Sequence, residues 1–275
     1  MPSAYVIASY TTAFKKMPEA SFRDLTREAY LGVLEDAGIS DASDIEQAWF
    51  GNCGMGTFGQ NCIRGQVCFT PLVNDGLFPE RVPIINVEGG CATASMAFHG
   101  AWKDVLSGQS ELSLAIGVEK TFVPEDPAKI QEIFDAGIDQ LNPEEWKEYY
   151  KKAGEKSGKP FDVENKNGTV FMDTYAMQAA YHMKKYGTTQ SQIAAGASKN
   201  HYHGSLNPKA QYRFEVSVDD VMNDREISYP LTRSMCAPIG DGAAAALICS
   251  ESYLARLPAE VQQRAIKIRA CELSG

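Results

Sequence analysis

The cysteine at position 91 has the surroundings of a nucleophile. It follows two glycines and precedes a run of small residues. Residues 83–88 are mostly apolar, which predicts a buried strand, and residues 92–98 begin a helix. A helix N-terminus stabilises a thiolate through free backbone N–H groups and partial positive charge. The same pattern fits a buried cysteine that only caps the helix, because free cysteine is among the most buried residue types.

A reactive thiol at this position still needs a base. The helix terminus contributes about 1 kcal/mol to a neighbouring charge, which is too little to ionise a thiol fully at neutral pH. His99 lies eight residues further along the same helix, about 12 Å away along its axis, and is too distant. His182 is predicted to be a polar surface residue, and the sequence alone does not bring His201 or His203 to Cys91.

The cysteine spacing indicates reduced thiols. Seven cysteines are present, at positions 53, 62, 68, 91, 236, 249 and 271. An odd number without close repeats favours a reducing compartment over a disulfide framework. Cys53, Cys62 and Cys68 are the residues to consider for zinc, but no C-x-x-C occurs and their spacing matches no familiar ribbon. We therefore predict no metal site.

A glycine-rich segment spans residues 52–80, and residues 54–59 match G-x-G-x-x-G. Asp75 lies at about the right distance for a ribose contact in a dinucleotide site. Residues 60–69 are only moderately helical and run towards Pro71, which favours an interface loop over a dinucleotide site.

Composition excludes several classes of partner. The chain of 275 residues carries a net charge of −9 and has no basic run, which argues against nucleic acid or an anionic membrane as partner. No apolar run approaches the roughly 18 residues of a membrane-spanning helix, and the N-terminus does not resemble a signal peptide. We predict a cytoplasmic protein.

The order of elements predicts a layered α/β fold. Residues 22–37 form a predicted helix that Ser21 and Asp24 cap at its start, and residues 84–118 form a β-α-β unit. Residues 120–232 differ in composition from both flanks and are predicted to form an inserted subdomain. The remaining core then comprises residues 1–119 and 233–275.

Four segments together resemble the thiolase superfamily. Residues 86–119 are similar to its nucleophile segment, and residues 240–245 are similar to its second signature. Residues 199–201 and 207–211 resemble the sterol-carrier-protein branch. The resemblance implies an α/β, thiolase-like layered fold with a mixed sheet, here the N-terminal half plus an inserted loop subdomain. One departure is Ala94, where the family commonly has glycine.

The resemblance also implies an activity and a set of partners. Cys91 would carry the acyl group when a 3-ketoacyl-CoA is cleaved with CoA, which is a substrate and not a tightly bound cofactor. A second half of the protein would supply a histidine base and another cysteine. A further similarity, to the thiolase subunit acting on benzoylsuccinyl-CoA in anaerobic toluene breakdown, implies an aromatic acyl group. It also implies a homodimer assisted by an OB-fold, zinc-ribbon subunit.

Candidates for CoA contacts lie in the predicted insertion. They are Lys199, His201, Lys209 and Arg213, each of which also fits a solvated surface position. Two other functions stay open at this stage. One is a retro-aldolase of the same fold that cleaves a hydroxyacyl-CoA without a cysteine nucleophile, and the other is a non-catalytic half that scaffolds a larger complex.

Overall fold

The computed structural model describes residues 2–162 and 169–274. Residues 163–168, within the predicted insertion, lie outside the described residues. The chain forms two compact units: a core unit, Met1–Phe122 with Gly240–Gly275, and an inserted unit, Val123–Ile239. The assignment of the insertion to CoA stays a prediction.

The described residues of the core unit form a mixed sheet of six strands in the order β3-β2-β4-β7-β1-β8. β2 is parallel to β3 and β4, whereas β7 is antiparallel to β4 and β1, and β1 is antiparallel to β8. The predicted α/β class with a mixed sheet is confirmed. The strands are β1 (Ala4–Thr11), β2 (Gln47–Gly51), β3 (Ile84–Val87), β4 (Leu112–Glu119), β7 (Gly242–Ser250) and β8 (Ile266–Lys267).

Helices cover both faces of this sheet. Side chains alternate along β4, so that Leu114 and Ile116 enter one hydrophobic cluster and Ala115 enters another on the opposite face. The first cluster includes residues of α1 (Phe22–Ala37) and α2 (Arg64–Asn74), and the second includes residues of α3 (Thr93–Ser107). The short helices α9 (Glu251–Leu254) and α10 (Ala259–Arg264) follow β7.

Two predictions for the core unit have clear outcomes. The capping box between Ser21 and Asp24 is present at the start of α1. The prediction of an irregular segment over residues 52–80 was wrong, because α2 continues through Pro71. Proline cannot donate to the carbonyl of residue 67, and Arg23 Nε donates to Val67 O instead, at 3.1 Å.

The inserted unit is more helical than its sequence suggested. Its described part contains α4 (Pro127–Asp135), α5 (Pro143–Ser157), α6 (Val170–Tyr186), α7 (Gln190–Leu206) and α8 (Val218–Asn223), followed by the hairpin β5 (Glu226–Ser228) and β6 (Leu231–Thr232). The buried carboxylate of Asp173 joins parts of this unit. It contacts Lys159 Nζ and Ser228 Oγ, both at 2.5 Å.

No helix in the described part of the chain combines the length and the apolar character needed to cross a membrane.

Candidate functional site

Cys91 lies in a short turn between β3 and α3, at the carboxyl end of the parallel strands. It is exposed and occupies the middle of a 3₁₀ turn, Gly90–Ala92, immediately before the helix. Gly90 has a φ of +57°, which favours glycine. A Cβ at Gly89 would lie 2.1 Å from Met96 Sδ, so a side chain there would displace Met96.

Thr93 closes this turn from the first residue of α3. Its hydroxyl accepts from Gly89 N–H at 2.9 Å and donates to the Gly90 carbonyl at 2.7 Å. Because the peptide bond is planar and trans, the Cys91 N–H points away from the fixed Gly90 carbonyl. The fold therefore fixes the direction of that amide. A fixed direction is what a hydrogen-bond donor to an oxyanion beside the thiol requires.

Glu88 makes a second attachment to the same turn. Its Oε1 accepts from Gly90 N–H at 2.5 Å. Cys53 follows the neighbouring strand β2, which is parallel to β3. Burial, followed by the charges of Glu119 and Glu88, raises the pKa of the Cys53 thiol to about 11. Cys53 is therefore a thiol at neutral pH, in contrast to the thiolate chemistry predicted for Cys91.

Glu119, the last residue of β4, fixes the loop that carries Cys53. Its carboxylate accepts from Cys53 N–H at 2.9 Å, Gly54 N–H at 3.0 Å and Asn52 Nδ2 at 3.0 Å. Burial raises the pKa of Glu119 despite these hydrogen bonds. The carboxyl ends of the parallel strands β2, β3 and β4 thus lie at one edge of the sheet, where parallel strands commonly place functional groups, and Glu119 joins the ends of β2 and β4 there.

Thr93, Glu88 and Glu119 were not singled out as site residues from the sequence, and Cys53 was considered only as a zinc ligand. Thr93 gave a local signal, because a hydroxyl residue two positions after Cys91 opens the helix. The contacts of Cys53 and Glu119 join different strands, so nothing local identifies them. The weak dinucleotide interpretation gains no support, because Asp75 forms an ion pair with Arg27 at 2.6 Å.

His99 remains far along α3, as predicted from the helix geometry. Its ring packs against Trp102, with the ring centroids 5.3 Å apart. His99 Nδ1 and Trp102 Nε1 are both buried, with no hydrogen-bond partner among the described residues. His182, His201 and His203 belong to the inserted unit.

The residues predicted to contact CoA all lie in the inserted unit. Lys199 and Arg213 are exposed and Lys209 is half-buried. His201 is buried in α7, where its Nε2 lies 3.1 Å from the Ser234 carbonyl and its ring stacks on Tyr212. The structure does not test any of these four as CoA contacts.

The signature at residues 240–242 has a structural role. Asp241 is 1% exposed, and its carboxylate accepts from the backbone N–H groups of Met17, Thr121 and Phe122 at 2.8 to 2.9 Å. Lys120 Nζ lies 3.7 Å from the same carboxylate. Asp241 therefore connects two loops, one at Met17 and one at residues 121–122, to the start of β7.

No cluster of three or more His, Cys, Asp or Glu side chains is arranged for a metal ion within residues 2–162 and 169–274.

Comparison with known proteins identifies the same family as the sequence motifs. The model of the thiolase N-terminal domain matches residues 4–229. The acetyl-CoA acetyltransferase of Methanothermobacter thermautotrophicus is 35% identical over 251 residues, which are 90% of this chain and 57% of the relative. The predicted resemblance to the thiolase superfamily is confirmed.

Two further relatives correspond to the branches suggested by the sequence. The benzoylsuccinyl-CoA thiolase subunit BbsB of Thauera aromatica is 30% identical, covering 87% of this chain and 53% of the relative. Sterol carrier protein 2 of Bos taurus is 32% identical, covering 98% and 44%. The chain therefore spans about half the length of the curated relatives it matches.

Solved structures agree on the fold. The Ltp2-ChsH2(DUF35) aldolase matches with a TM-score of 0.67 at 22% identity, covering 93% of this chain and 58% of that one. The acetyl-CoA acetyltransferase from Syntrophomonas wolfei matches with a TM-score of 0.61 at 16% identity, covering 93% and 66%.

Proposed function

Since this chain belongs to the thiolase N-terminal domain family, we propose that it is the nucleophile-bearing part of a thiolase-type acyl-CoA acyltransferase. The observation that carries the proposal is the exposed thiol of Cys91 at the strand-to-helix turn, where Thr93 and Glu88 hold the backbone of the preceding Gly90. The names of the relatives support the reaction class.

The proposed reaction has two halves. The Cys91 thiolate attacks the 3-keto carbon of a 3-ketoacyl-CoA, and the carbon–carbon bond to the thioester breaks. The electron pair leaves on the α-carbon of the CoA thioester, which then takes up a proton. CoA thiolate next attacks the Cys91 thioester and releases a shortened acyl-CoA, so that one difficult cleavage becomes two easier steps.

The surroundings of Cys91 explain how this chain contributes to those steps. The Cys91 N–H is fixed by the Gly90 peptide plane and donates to the oxyanion that forms on the attacked carbonyl. His99 is not the base, because it lies along α3 among buried aromatic contacts. We propose that a histidine of the remaining part of the protein takes the Cys91 proton.

We propose CoA as a substrate that Lys199, Lys209 and Arg213 contact in the inserted unit. Their positive charges suit the CoA phosphates, which the net charge of −9 otherwise disfavours. The buried position of His201 gives it a supporting role under this surface, next to Tyr212. Hydrogen exchange with and without CoA tests the proposal, and protection confined to the core unit would contradict it.

The proposals for the acyl group and for the partners are based on the relatives. We propose an aromatic acyl group, as in benzoylsuccinyl-CoA, because BbsB is among the relatives. Acetoacetyl-CoA is the comparison substrate, because acetyl-CoA acetyltransferases are also among the relatives. A homodimer fits β3, which is an edge strand of the described sheet. A small OB-fold, zinc-ribbon subunit is the second partner we propose.

The deciding experiment uses the whole protein and both 3-ketoacyl-CoA substrates. Wild type should form an acyl-enzyme that intact mass detects, and Cys91→Ala should abolish both the acyl-enzyme and turnover. Turnover that survives Cys91→Ala would reject the proposal. It would favour the retro-aldolase alternative, which the fold likeness to an aldolase supports and which a hydroxyacyl-CoA substrate tests directly.

A further inference from the structure

The helix that follows Cys91 packs on the sheet mainly through small side chains. The buried residues of α3 between its two ends include Ala97, Gly100 and Ala101. Gly100 lies against the ring of Trp49, where a Cβ would come within 2.3 Å of the ring. Side chains this small project too little to interlock with the sheet, so they do not by themselves fix the position of the helix along it.

Asp104 supplies the directional contact that this packing lacks. It is 9% exposed, and one oxygen of its carboxylate, Oδ2, accepts from Gln47 Nε2 and from Trp49 Nε1, both at 2.5 Å. Ser113 Oγ lies 3.5 Å from the same oxygen. Gln47 and Trp49 belong to β2, and Ser113 is the residue of β4 that pairs with Gln47. Two side-chain donors of β2 therefore converge on one oxygen of α3.

We propose that Asp104 is a positioning residue for Cys91: by binding Gln47 and Trp49 it fixes α3 along β2, and with it the turn at the other end of the helix. A buried polar contact can select one register among several that apolar packing would allow. The proposal rests on the proposed function of Cys91 and adds a residue to which no role is otherwise assigned.

The two ends of α3 contact the two ends of β2. Thr93, the first residue of α3, lies against Gly51, the last residue of β2, where a Cβ would be 3.0 Å from Thr93 Cγ2. Asp104 lies about 16 Å further along the helix axis and is bonded to Gln47, the first residue of β2. Because a hydrogen-bonded helix is stiff along its axis, a shift at Asp104 moves Thr93 as well.

Thr93 connects the position of the helix to the turn that carries the thiol. Its hydroxyl accepts from Gly89 N–H at 2.9 Å and donates to the Gly90 carbonyl at 2.7 Å. A displaced Thr93 would break these hydrogen bonds or move the turn, and Cys91 would move with it. Small displacements of a reacting group reduce rates strongly, whereas the binding of substrate elsewhere is unaffected. Loss of Asp104 should therefore lower kcat more than it alters KM.

The first test is kinetic and uses the whole enzyme. Asp104→Ala should lower kcat about tenfold with KM within about twofold. Asp104→Asn, whose amide oxygen can take the place of Oδ2, should stay within about twofold of wild type in both constants. Trp49→Phe keeps a ring against Gly100 but removes one donor, and should lower kcat about threefold. Wild-type kcat in Asp104→Ala would overturn the positioning role.

Val105→Ala is the matched control for stability. Val105 is 2% exposed, follows Asp104 in α3 and belongs to the hydrophobic cluster on that face of the sheet. Shortening it removes buried volume and lowers stability, but leaves the contacts of Asp104 in place. The folded variant should keep wild-type kcat. Equal losses of kcat in Val105→Ala and Asp104→Ala would assign the effect to stability alone and would overturn the proposal.

Hydrogen exchange at the Gly89 amide tests the position of Thr93 without turnover. That amide donates to the Thr93 hydroxyl, so its exchange is slow while Thr93 stays in place. Under conditions in which both variants are folded, Asp104→Ala should exchange this amide about tenfold faster than Val105→Ala. Wild-type protection of Gly89 in Asp104→Ala would show that Asp104 does not hold the start of the helix.

The parent proposal fails in a different way. If Cys91→Ala retains acyl transfer, the nucleophile assignment is wrong, and the positioning role that rests on it is rejected with it. If Cys91→Ala is inactive and Asp104→Ala matches wild type in kcat and in Gly89 exchange, the positioning role alone is rejected.

Discussion

Ala94 of α3 lies against Gly117 of β4, so that a methyl group at position 117 would come within 2.5 Å of the Ala94 Cβ. This contact explains how the chain accommodates alanine at a position where the thiolase superfamily commonly has glycine. The methyl group of Ala94 occupies the space that a side chain at position 117 would need. Helix α3 therefore keeps its close approach to the sheet.

The first prediction tests this exchange. Gly117→Ala should destabilise the core unit by about 1–3 kcal/mol, because the added methyl overpacks the contact. Ala94→Gly/Gly117→Ala should recover most of that loss, less up to about 1 kcal/mol for glycine in a helix. Urea unfolding followed by circular dichroism measures both variants.

A matched control is available in the inserted unit. Gly196 lies within α7, and a Cβ there would meet nothing within 4 Å. Gly196→Ala should therefore be neutral or stabilising, since it adds helix propensity without a clash. Equal stability of Gly117→Ala and wild type would contradict the packing argument.

The sequence was sufficient to predict those parts of the core unit that have strong end signals. Ser21 and Asp24 predicted the start of α1. The succession of a strand, two glycines and a run of small residues predicted the turn at Cys91. Helix α2 was missed because Pro71 normally ends a helix. The compensating donor, Arg23, is 44 residues away from Val67 in sequence, and such a contact leaves no local pattern.

The inserted unit was harder to interpret for two reasons. Helices α4 and α5 each begin with proline directly after a capping residue, Asp126 or Asn142, which is a helix-start signal within a segment predicted only as an inserted loop subdomain. Helix α7 buries few side chains, Ala194 and His201 among them, so its hydrophobic periodicity is weak. Since α7 is helical, His201 and His203 face different directions, one buried and the other exposed.

The second prediction concerns alkaline stability. Burial raises the pKa of Cys53 to about 11, from an ordinary value of 9.0. The folded protein therefore binds this proton more tightly than the unfolded chain does. Its stabilising contribution is complete below about pH 9 and is lost as the pH rises towards about 11.

Urea unfolding at several pH values, under reducing conditions, measures this contribution. Cys53→Ser should flatten the decline in the free energy of unfolding between about pH 9 and 11 relative to wild type. Cys62→Ser, which changes an exposed thiol, should leave the decline unchanged. Identical pH profiles for wild type and Cys53→Ser would show that Cys53 is not buried as described.

The third prediction concerns Asp241. Asp241→Ala should lower the free energy of unfolding by about 3 kcal/mol, because three backbone N–H groups lose their acceptor and Lys120 loses its charge partner. Asp241→Asn should cost less, since its carbonyl oxygen still accepts from Thr121 and Phe122. Chemical unfolding measures both, and a catalytic role would instead appear as lost turnover at unchanged stability.

The fourth prediction concerns the reactivity of the thiols. Iodoacetamide at neutral pH should label Cys91 first, because it is exposed in the turn between β3 and α3 whose backbone Thr93 and Glu88 hold. Cys53 should react slowly, since its raised pKa keeps it protonated. Cys62 is the matched reference, because it is also exposed and also lies two residues before the first residue of a helix, α2. Peptide mass mapping over a time course gives the three rates from one sample. Faster labelling of Cys62 or Cys53 than of Cys91 would remove the main support for Cys91 as the nucleophile, whatever the fold.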